Sequence, residues 1–115
     1  MTENERRTTD RLHFIAPCII KIEGFEEEYQ GEIHNLSQHG AFIKPKRRLP
    51  DNIAGRDAML IIYDQDFHSI PRIKAEGKIV HEDKSGIGFY MRSMNSQSFG
   101  QLKILLAKGR GASRR

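Results

Sequence analysis

Residues 70–91 have the sequence IPRIKAEGKIVHEDKSGIGFYM, and this stretch decides the fold. Along residues 70–81, small or apolar side chains alternate with mostly charged ones, which is the two-residue period of a β-strand with one buried face. Residues 83–86, Asp-Lys-Ser-Gly, form a predicted turn, and residues 87–91 are again mainly apolar or aromatic. The pattern predicts two strands joined by a turn. The positions predicted to share the buried face of the first strand are Ile73, Ala75, Gly77, Ile79 and His81.

Upstream of this pair, four shorter segments are rich in β-branched and aromatic residues and are bounded by turn-forming ones, which favours strands. Downstream, Asn95 and Ser96 form a predicted helix N-cap, and apolar residues follow at helical spacing until Gly109, where the helix is expected to end. The four strands are Cys18–Ile22, Tyr29–Asn35, Gly40–Lys44 and Ala58–Tyr63, and the apolar helix positions are Phe99, Leu102, Leu105 and Leu106.

Six short strands followed by one helix predict a mainly β fold. A small antiparallel barrel is favoured over an open sheet, because closure leaves no unpaired sheet edge and the helix can cover one end. The 115 residues have the size of one domain.

The net charge of +4 is located at one end of the chain. From Lys103 onward there are five cations and no acid, so the body of the domain is close to neutral. No apolar run approaches the ~20 residues of a membrane helix, and no signal-type segment is present, so we expect no membrane span and a cytoplasmic location. The single cysteine, Cys18, fits a reducing compartment and is expected to be a buried strand residue.

The sequence contains no pattern typical of catalysis. The five histidines lack metal-binding spacing, and there is no second cysteine to complete a metal site. Several acidic residues lie in predicted turns without a neighbouring nucleophile or base, namely Asp64, Asp66, Asp83 and the run Glu26–Glu28. No phosphate-binding P-loop is present. We therefore expect a protein that is not an enzyme and that needs no metal or cofactor.

Two polar segments carry the candidate binding chemistry. Arg7 and Arg11 lie four residues apart ahead of the first strand, and if the chain curls through a turn their guanidinium groups can clasp one compact anion. Asn35, Ser37 and Gly40 follow that strand as N-x-S-x-x-G. An amide suits a base edge, a hydroxyl suits a phosphate, and a glycine lets a ligand approach the backbone closely.

The second segment also has an ordinary explanation. In a plain hairpin turn, Asn35 and Ser37 would bond their own backbone and Gly40 would take a positive φ. Strict alternation would moreover put the apolar Ile33 on the same side as Asn35 and Ser37. We therefore expect the strand to break near His34.

Together, the two segments resemble the PilZ domain family, whose pattern is R-x-x-x-R followed, after a strand, by D/N-x-S-x-x-G. The glycine-containing strand at Gly86–Phe89 and the closing helix are similar to the end of that family's domain. The resemblance implies a six-stranded antiparallel PilZ-type β-barrel with a C-terminal helix, and cyclic di-GMP as the ligand. The matching residues are Arg7 and Arg11 in the first motif and Asn35, Ser37 and Gly40 in the second.

The resemblance also implies a role for each matching residue. Arg7 and Arg11 would bind guanine edges and phosphates, and Asn35 would recognise a base. Ser37 would hold a phosphate, and Gly40 would make room for the ligand. Binding would break no covalent bond.

Two further residues are candidates for the same site, because Arg6 adjoins the first motif and His39 lies inside the second. The implied organisation is a flexible arm of residues 1–11, a barrel with its helix at residues 12–108, and a basic flexible tail of residues 109–115. Cyclic di-GMP would order the arm, and a protein partner would recognise the changed surface. Such receptors resemble bacterial regulators of motility or biofilm.

Two alternatives stay open at the level of sequence. One is a ligand-independent adaptor with the PilZ fold, which the intact arginine pair disfavours. The other is a small basic barrel that binds single-stranded nucleic acid, which the near-neutral body makes unlikely. Its stacking platforms would be drawn from Phe42, Tyr63, Phe67 and Tyr90.

Overall fold

The computed structural model describes the backbone of residues 12–63 and 71–113, and the side chains of residues 16–63 and 73–107. Within these ranges the chain forms six strands followed by one helix. All six predicted strands are present, and the first begins at Leu12 rather than at Cys18. The elements are β1 (Leu12–Ile22), β2 (Glu28–Leu36), β3 (Gly40–Pro45), β4 (Asp57–Tyr63), β5 (Pro71–Asp83), β6 (Gly86–Met94) and α1 (Ser96–Ser113).

The strands close into a barrel in the order β1-β2-β3-β6-β5-β4, and β4 pairs again with β1. Every neighbouring pair is antiparallel. The predicted fold, a mainly β six-stranded antiparallel barrel with a C-terminal helix, is therefore confirmed. Closure satisfies the backbone hydrogen-bonding groups that the edges of an open sheet would expose.

The core fills the inside of the barrel, and β5 contributes to it by alternation as predicted. Ile73, Ala75 and Ile79 are fully buried, and Gly77 between them is also buried. The prediction that His81 continues this face is wrong, because its side chain is 60% exposed. The β5–β6 register shifts between Ile79 and His81, and such a bulge reverses the alternation of the residues that follow it.

Helix α1 covers one end of the barrel. The N-cap prediction is confirmed, since Asn95 Oδ1 accepts the N–H of Ser98 at 2.8 Å. Buried Ser98 in turn accepts the backbone N–H of Lys74 on β5 through its hydroxyl oxygen at 3.0 Å. Leu102 and Leu106 are buried in the core cluster. The helix therefore packs onto the barrel through its apolar face and through one backbone anchor.

The predicted end of the helix at Gly109 is wrong, because α1 continues to Ser113. A glycine lowers helix stability by only about 1 kcal/mol relative to alanine, so it does not by itself end a helix. Residues 1–11 and 114–115 lie outside the described residues, and the division into arm, barrel and tail stays a prediction.

The loop between β3 and β4 closes the other end. Its Ile53 is completely buried. Glu82 at the end of β5 holds the loop in place, because its Oε1 accepts the backbone N–H groups of Ile53 and Ala54 at 3.1 Å each. The two ends of the barrel are thus closed by different elements, the helix at one and this loop at the other.

Candidate ligand-binding site

The N-x-S-x-x-G segment forms the turn between β2 and β3. Asn35 lies near the end of β2, Ser37 lies in the turn, and Gly40 is the first residue of β3. The carbonyl oxygen of Gly40 accepts the Ser37 N–H at 2.9 Å and the Ser37 hydroxyl at 3.3 Å. The Ser37 side chain therefore stabilises its own turn, as the ordinary explanation of this segment expects.

Asn35 is set apart from the strand's alternation by a bulge. In the β2–β3 pairing, Ile33 lies opposite Ile43 but Asn35 lies opposite Phe42, so His34 is an extra residue in β2. The predicted break near His34 is confirmed. Because of it, Ile33 and Leu36 are both fully buried, and Asn35 does not share the side of the strand that Ile33 occupies.

The side-chain oxygen of Asn35 has no local partner. Asn35 Oδ1 is buried and accepts no hydrogen bond among the described residues. In this respect the ordinary explanation fails, since it requires Asn35 to bond its own backbone. Buried polar atoms in native proteins are almost always hydrogen-bonded, and exceptions call for an explanation such as a bound group.

The presence of a glycine at position 40 has a structural explanation that was not visible in the sequence. Its φ is not positive, since the positive-φ glycines of the described chain are Gly24, Gly55 and Gly86. A β-carbon on Gly40 would instead lie 3.0 Å from the carbonyl oxygen of Phe89 on the neighbouring strand. The close approach of β3 and β6 therefore favours a glycine here independently of any ligand.

A shallow groove of about 520 Å³ lies beside the turn, between the β2–β3 turn, the end of β6 and the start of α1. The exposed His39 is one of its lining residues, and the His39 carbonyl accepts the N–H of Met91 at 2.8 Å. Arg92 on β6 also lines this groove. Arg92 was not among the predicted site residues because the predicted strand ended at Met91.

The arginines of the predicted site, Arg6, Arg7 and Arg11, lie outside the described residues. The first described residues after them are Leu12 and His13, which pair with Leu36 and Asn35 respectively. Of the predicted site residues, the structure thus brings Asn35, Ser37, His39 and Gly40 together, and the contribution of the arginines stays a prediction.

The aromatic residues of the nucleic-acid alternative lie on different strands. Phe42 on β3 and the half-exposed Tyr90 on β6 belong to neighbouring strands, whereas Tyr63 on β4 is separated from them by β5. Phe67 lies outside the described residues. Among the residues with described positions, no set of three histidine, cysteine or acidic side chains is arranged to hold a metal ion. In the same part of the chain no helix is both long and apolar enough to cross a membrane.

Comparison with known proteins identifies the family. The sequence model of the PilZ domain matches residues 5–108, a span that contains both motifs. The chain therefore belongs to the PilZ domain family, a family of cyclic di-GMP receptors. Proteins of this family act as ligand-binding receptors or adaptors. A search of the curated proteins by sequence gave no match.

Two solved structures share the fold. One, a crystal structure of the PilZ domain of CeSA from a cellulose-synthesizing bacterium, is 13% identical with a TM-score of 0.61, and the match covers 85% of this chain and 95% of that one. The other, the Bacillus subtilis inhibitor of motility MotI/DgrA, is 18% identical with a TM-score of 0.66, and the match covers 91% of this chain and 50% of that one. This chain thus spans about half the length of MotI/DgrA. At these identities the likeness concerns the fold alone.

Proposed function

We propose that this protein is a cyclic di-GMP receptor that performs no catalysis, uses no other cofactor and acts in the cytoplasm. The ligand lies against the β2–β3 turn, contacted by Asn35, Ser37 and Gly40, with His39 at the rim. Arg7 and Arg11 hold it from the other side, and Arg6 adds a contact. Membership of the PilZ domain family supports the choice of ligand.

The observation that carries this proposal is the unpartnered oxygen of Asn35. A buried amide oxygen without a hydrogen bond costs about 1–3 kcal/mol in the free protein. Asn35 occupies the position of the PilZ motif that faces the ligand, and its Oδ1 has no described partner. A donor from a guanine base would satisfy this oxygen, so binding recovers a cost that the free protein carries.

The pairing of β1 with β2 supports the contribution of the arginines. Arg11 is bonded to Leu12, and Leu12 pairs with Leu36, which lies between Asn35 and Ser37. The arginine segment is therefore attached to the barrel beside the motif. Guanidinium groups bind phosphates and guanine acceptor edges through paired hydrogen bonds, which are among the strongest that a side chain makes.

The output of the receptor is a change in the state of the arm. Cyclic di-GMP orders residues 1–11 against the barrel, and a partner protein distinguishes the two states, because a ligand shifts an equilibrium only through its differential affinity. The fold likeness to a protein described as an inhibitor of motility is consistent with an effector that acts on another protein.

Isothermal titration of the purified chain with cyclic di-GMP tests the proposal. We expect binding that the Arg7→Ala/Arg11→Ala variant weakens at least about tenfold, because each arginine supplies charge-assisted hydrogen bonds. Arg47→Ala/Arg48→Ala is the matched control, since it removes the same charge from the other end of β3 and should leave affinity unchanged. Titration with linear GMP is the control for the ligand, because GMP has the same base and phosphate but lacks the cyclic dinucleotide.

Equal affinity of the arm variant and the wild type would refute the role of the arginines. Absence of any heat or thermal shift with cyclic di-GMP would refute the receptor itself.

A further inference from the structure

A second groove, with a volume of about 830 Å³, lies where β3 ends and the β5–β6 turn projects. Residues 44–51 with Ile53 form one wall and residues 82–87 form the other; we call this the basic groove. It lies at the opposite end of β3 from the candidate site, since Gly40 begins that strand and Pro45 ends it. Five residues of strand span about 17 Å, so the two sites are separate.

Three lysines of the basic groove are available to a ligand. Lys44, Lys46 and Lys84 are exposed, and each lacks an ion-pair partner among the residues that the structure describes. They come from both walls, so their charges converge on the space between them. Unpaired ammonium groups around a groove attract an anionic ligand and raise its rate of association.

The carboxylates of the basic groove do not neutralise these lysines by direct contact. Glu82 is bonded to the backbone N–H groups of residues 53–54. Asp83 accepts the N–H groups of residues 85–86 at 2.8 and 3.2 Å. Hydrogen bonds from the Ser85 hydroxyl and from His81, with smaller contributions from these backbone N–H groups, hold the pKa of Asp83 well below its usual range. Both carboxylates are therefore bonded to the backbone of the walls rather than to the lysines.

The two arginines of the basic groove are also engaged. Arg47 pairs with Glu27 and lies over the ring of Tyr29, with its guanidinium carbon 5.0 Å from the ring centre. Arg48 pairs with Asp51 at 3.2 Å. The cations of the basic groove without a described ion-pair partner are therefore its three lysines, and they outnumber the carboxylates of Glu82 and Asp83, which keep their negative charge.

The groove has an apolar surface between its charges, provided by the half-buried Pro45, Leu49 and Pro50. No aromatic side chain is among its lining residues. Single-stranded nucleic acid is usually bound by stacking its bases on aromatic rings, so this surface suits it poorly. Lysines around apolar side chains fit a polypeptide that presents acidic and apolar residues together.

We propose that the basic groove is the docking surface for an acidic, amphipathic segment of the partner protein. The partner's acidic residues pair with Lys44, Lys46 and Lys84, and its apolar residues lie on Pro45, Leu49 and Pro50. This inference deepens the proposed function and rests on it for the partner's role in signalling.

Fluorescence anisotropy tests the docking surface with a labelled peptide of about four helical turns, with Glu and Asp on one face and Leu on the other. The full chain is compared with Lys46→Glu/Lys84→Glu in the basic groove and with Lys74→Glu/Lys103→Glu, which makes the same change in net charge at exposed positions on β5 and α1. We expect the groove variant to bind at least about tenfold more weakly and the control variant to bind within about twofold of the wild type. Thermal unfolding and far-ultraviolet circular dichroism verify that both variants are folded.

Three results would overturn the docking surface. The peptide does not bind the wild type, or both variants lose the same amount of affinity for it. The third is that the groove lysines bind a single-stranded oligonucleotide more tightly than the peptide. The two proposals fail separately. Peptide binding through the groove without cyclic di-GMP binding overturns only the receptor, and the opposite result overturns only the docking surface.

Discussion

At the scale of single residues, Asn35 differs from its neighbours in having a buried side-chain oxygen without a described partner. The bulge at His34 removes it from the core face of β2, while Ile33 and Leu36 on either side remain fully buried. Its amide oxygen is shielded from water without a described hydrogen bond. Its neighbour Ser37 is different, because the Ser37 hydroxyl donates to the Gly40 carbonyl and so contributes to the turn.

We expect Asn35→Ala to separate binding from stability. Its free energy of unfolding should equal or exceed that of the wild type, because the substitution removes a buried oxygen that has no described hydrogen-bond partner and whose burial costs about 1–3 kcal/mol. Its affinity for cyclic di-GMP should fall at least about tenfold. Urea unfolding and isothermal titration measure the two quantities.

Ser37→Ala is the comparison for stability, since it removes a formed hydrogen bond and should cost about 0.5–1.5 kcal/mol. A loss of 2 kcal/mol or more in Asn35→Ala without ligand would contradict this assignment, because it would mean that the amide stabilises the free fold.

At the scale of elements, the β5–β6 hairpin depends on the carboxylate of Asp83. Its Oδ1 accepts the hydroxyl and the N–H of Ser85 at 2.6 and 2.8 Å and the N–H of Gly86 at 3.2 Å, and its Oδ2 lies 2.8 Å from His81 Nε2. The hydrogen bonds, that of the Ser85 hydroxyl first among them, lower the pKa of Asp83. The folded state therefore favours the ionised carboxylate.

The sign of this shift predicts a pH dependence for Asp83→Ala. Because the folded-state pKa is depressed, the stabilisation is present above the ordinary Asp pKa of about 4 and is lost progressively as pH falls below it. We expect Asp83→Ala to be less stable than the wild type at neutral pH, and we expect this difference to shrink in acid. Urea unfolding over a pH series measures it.

Asp51→Ala is the matched control for Asp83→Ala, since Asp51 forms only an exposed ion pair with Arg48. Such pairs contribute little, so its effect should be small at every pH. If Asp83→Ala lowers the free energy of unfolding by the same amount in acid as at neutral pH, the charge of the carboxylate is not what stabilises the hairpin.

At the scale of the whole molecule, Cys18 reports on the opening of the barrel. It lies in β1 between β2 and β4, and only 2% of its surface is exposed. Burial, with a smaller contribution from the charge of Glu32, raises the pKa of its thiol to about 12. Because the sheet is closed, no free edge gives a reagent access to this position.

We expect the thiol to react with Ellman's reagent at mildly alkaline pH only through unfolding. The thiolate is the reactive form, and in the native barrel it is both scarce and inaccessible. The labelling rate should therefore rise with urea in parallel with the unfolded fraction measured by circular dichroism. Labelling of the native protein at the rate of a free cysteine would mean that β1 opens locally without unfolding of the barrel.

Much of the fold follows from short-range pattern. Alternation along residues 73–79, the N-cap at Asn95 and the break near His34 were predictable, because each depends on neighbours in sequence and on backbone geometry. The motif residues Asn35, Ser37 and Gly40 were assigned through the resemblance to the PilZ family, because their local pattern is equally typical of an ordinary hairpin turn. The start of β1 was missed because Pro17 lacks an N–H and usually marks the limit of a strand, yet the register pairs it with Glu32.

Other features depend on strands that are distant in sequence. His81 is exposed because of a bulge against β6, and a glycine at position 40 is favoured by the nearby carbonyl of Phe89. Gly77 is similar, since a β-carbon there would lie 1.8 Å from the Tyr90 carbonyl. These contacts belong to pairings that close only when the barrel forms, and no local pattern contains them.

The amino-acid sequence alone was enough to predict the strands, because periodicity and turn chemistry act over a few residues. The barrel and the candidate site residues also required the resemblance to the PilZ family. The tertiary structure decided which polar groups have partners. The run from Lys44 to Arg48 is visible in the sequence, but the body of the domain is near neutral in charge. Only folding brings Lys84 beside that run and bonds Glu82 to the loop backbone, because the partners of a charged group depend on contacts between segments distant in sequence.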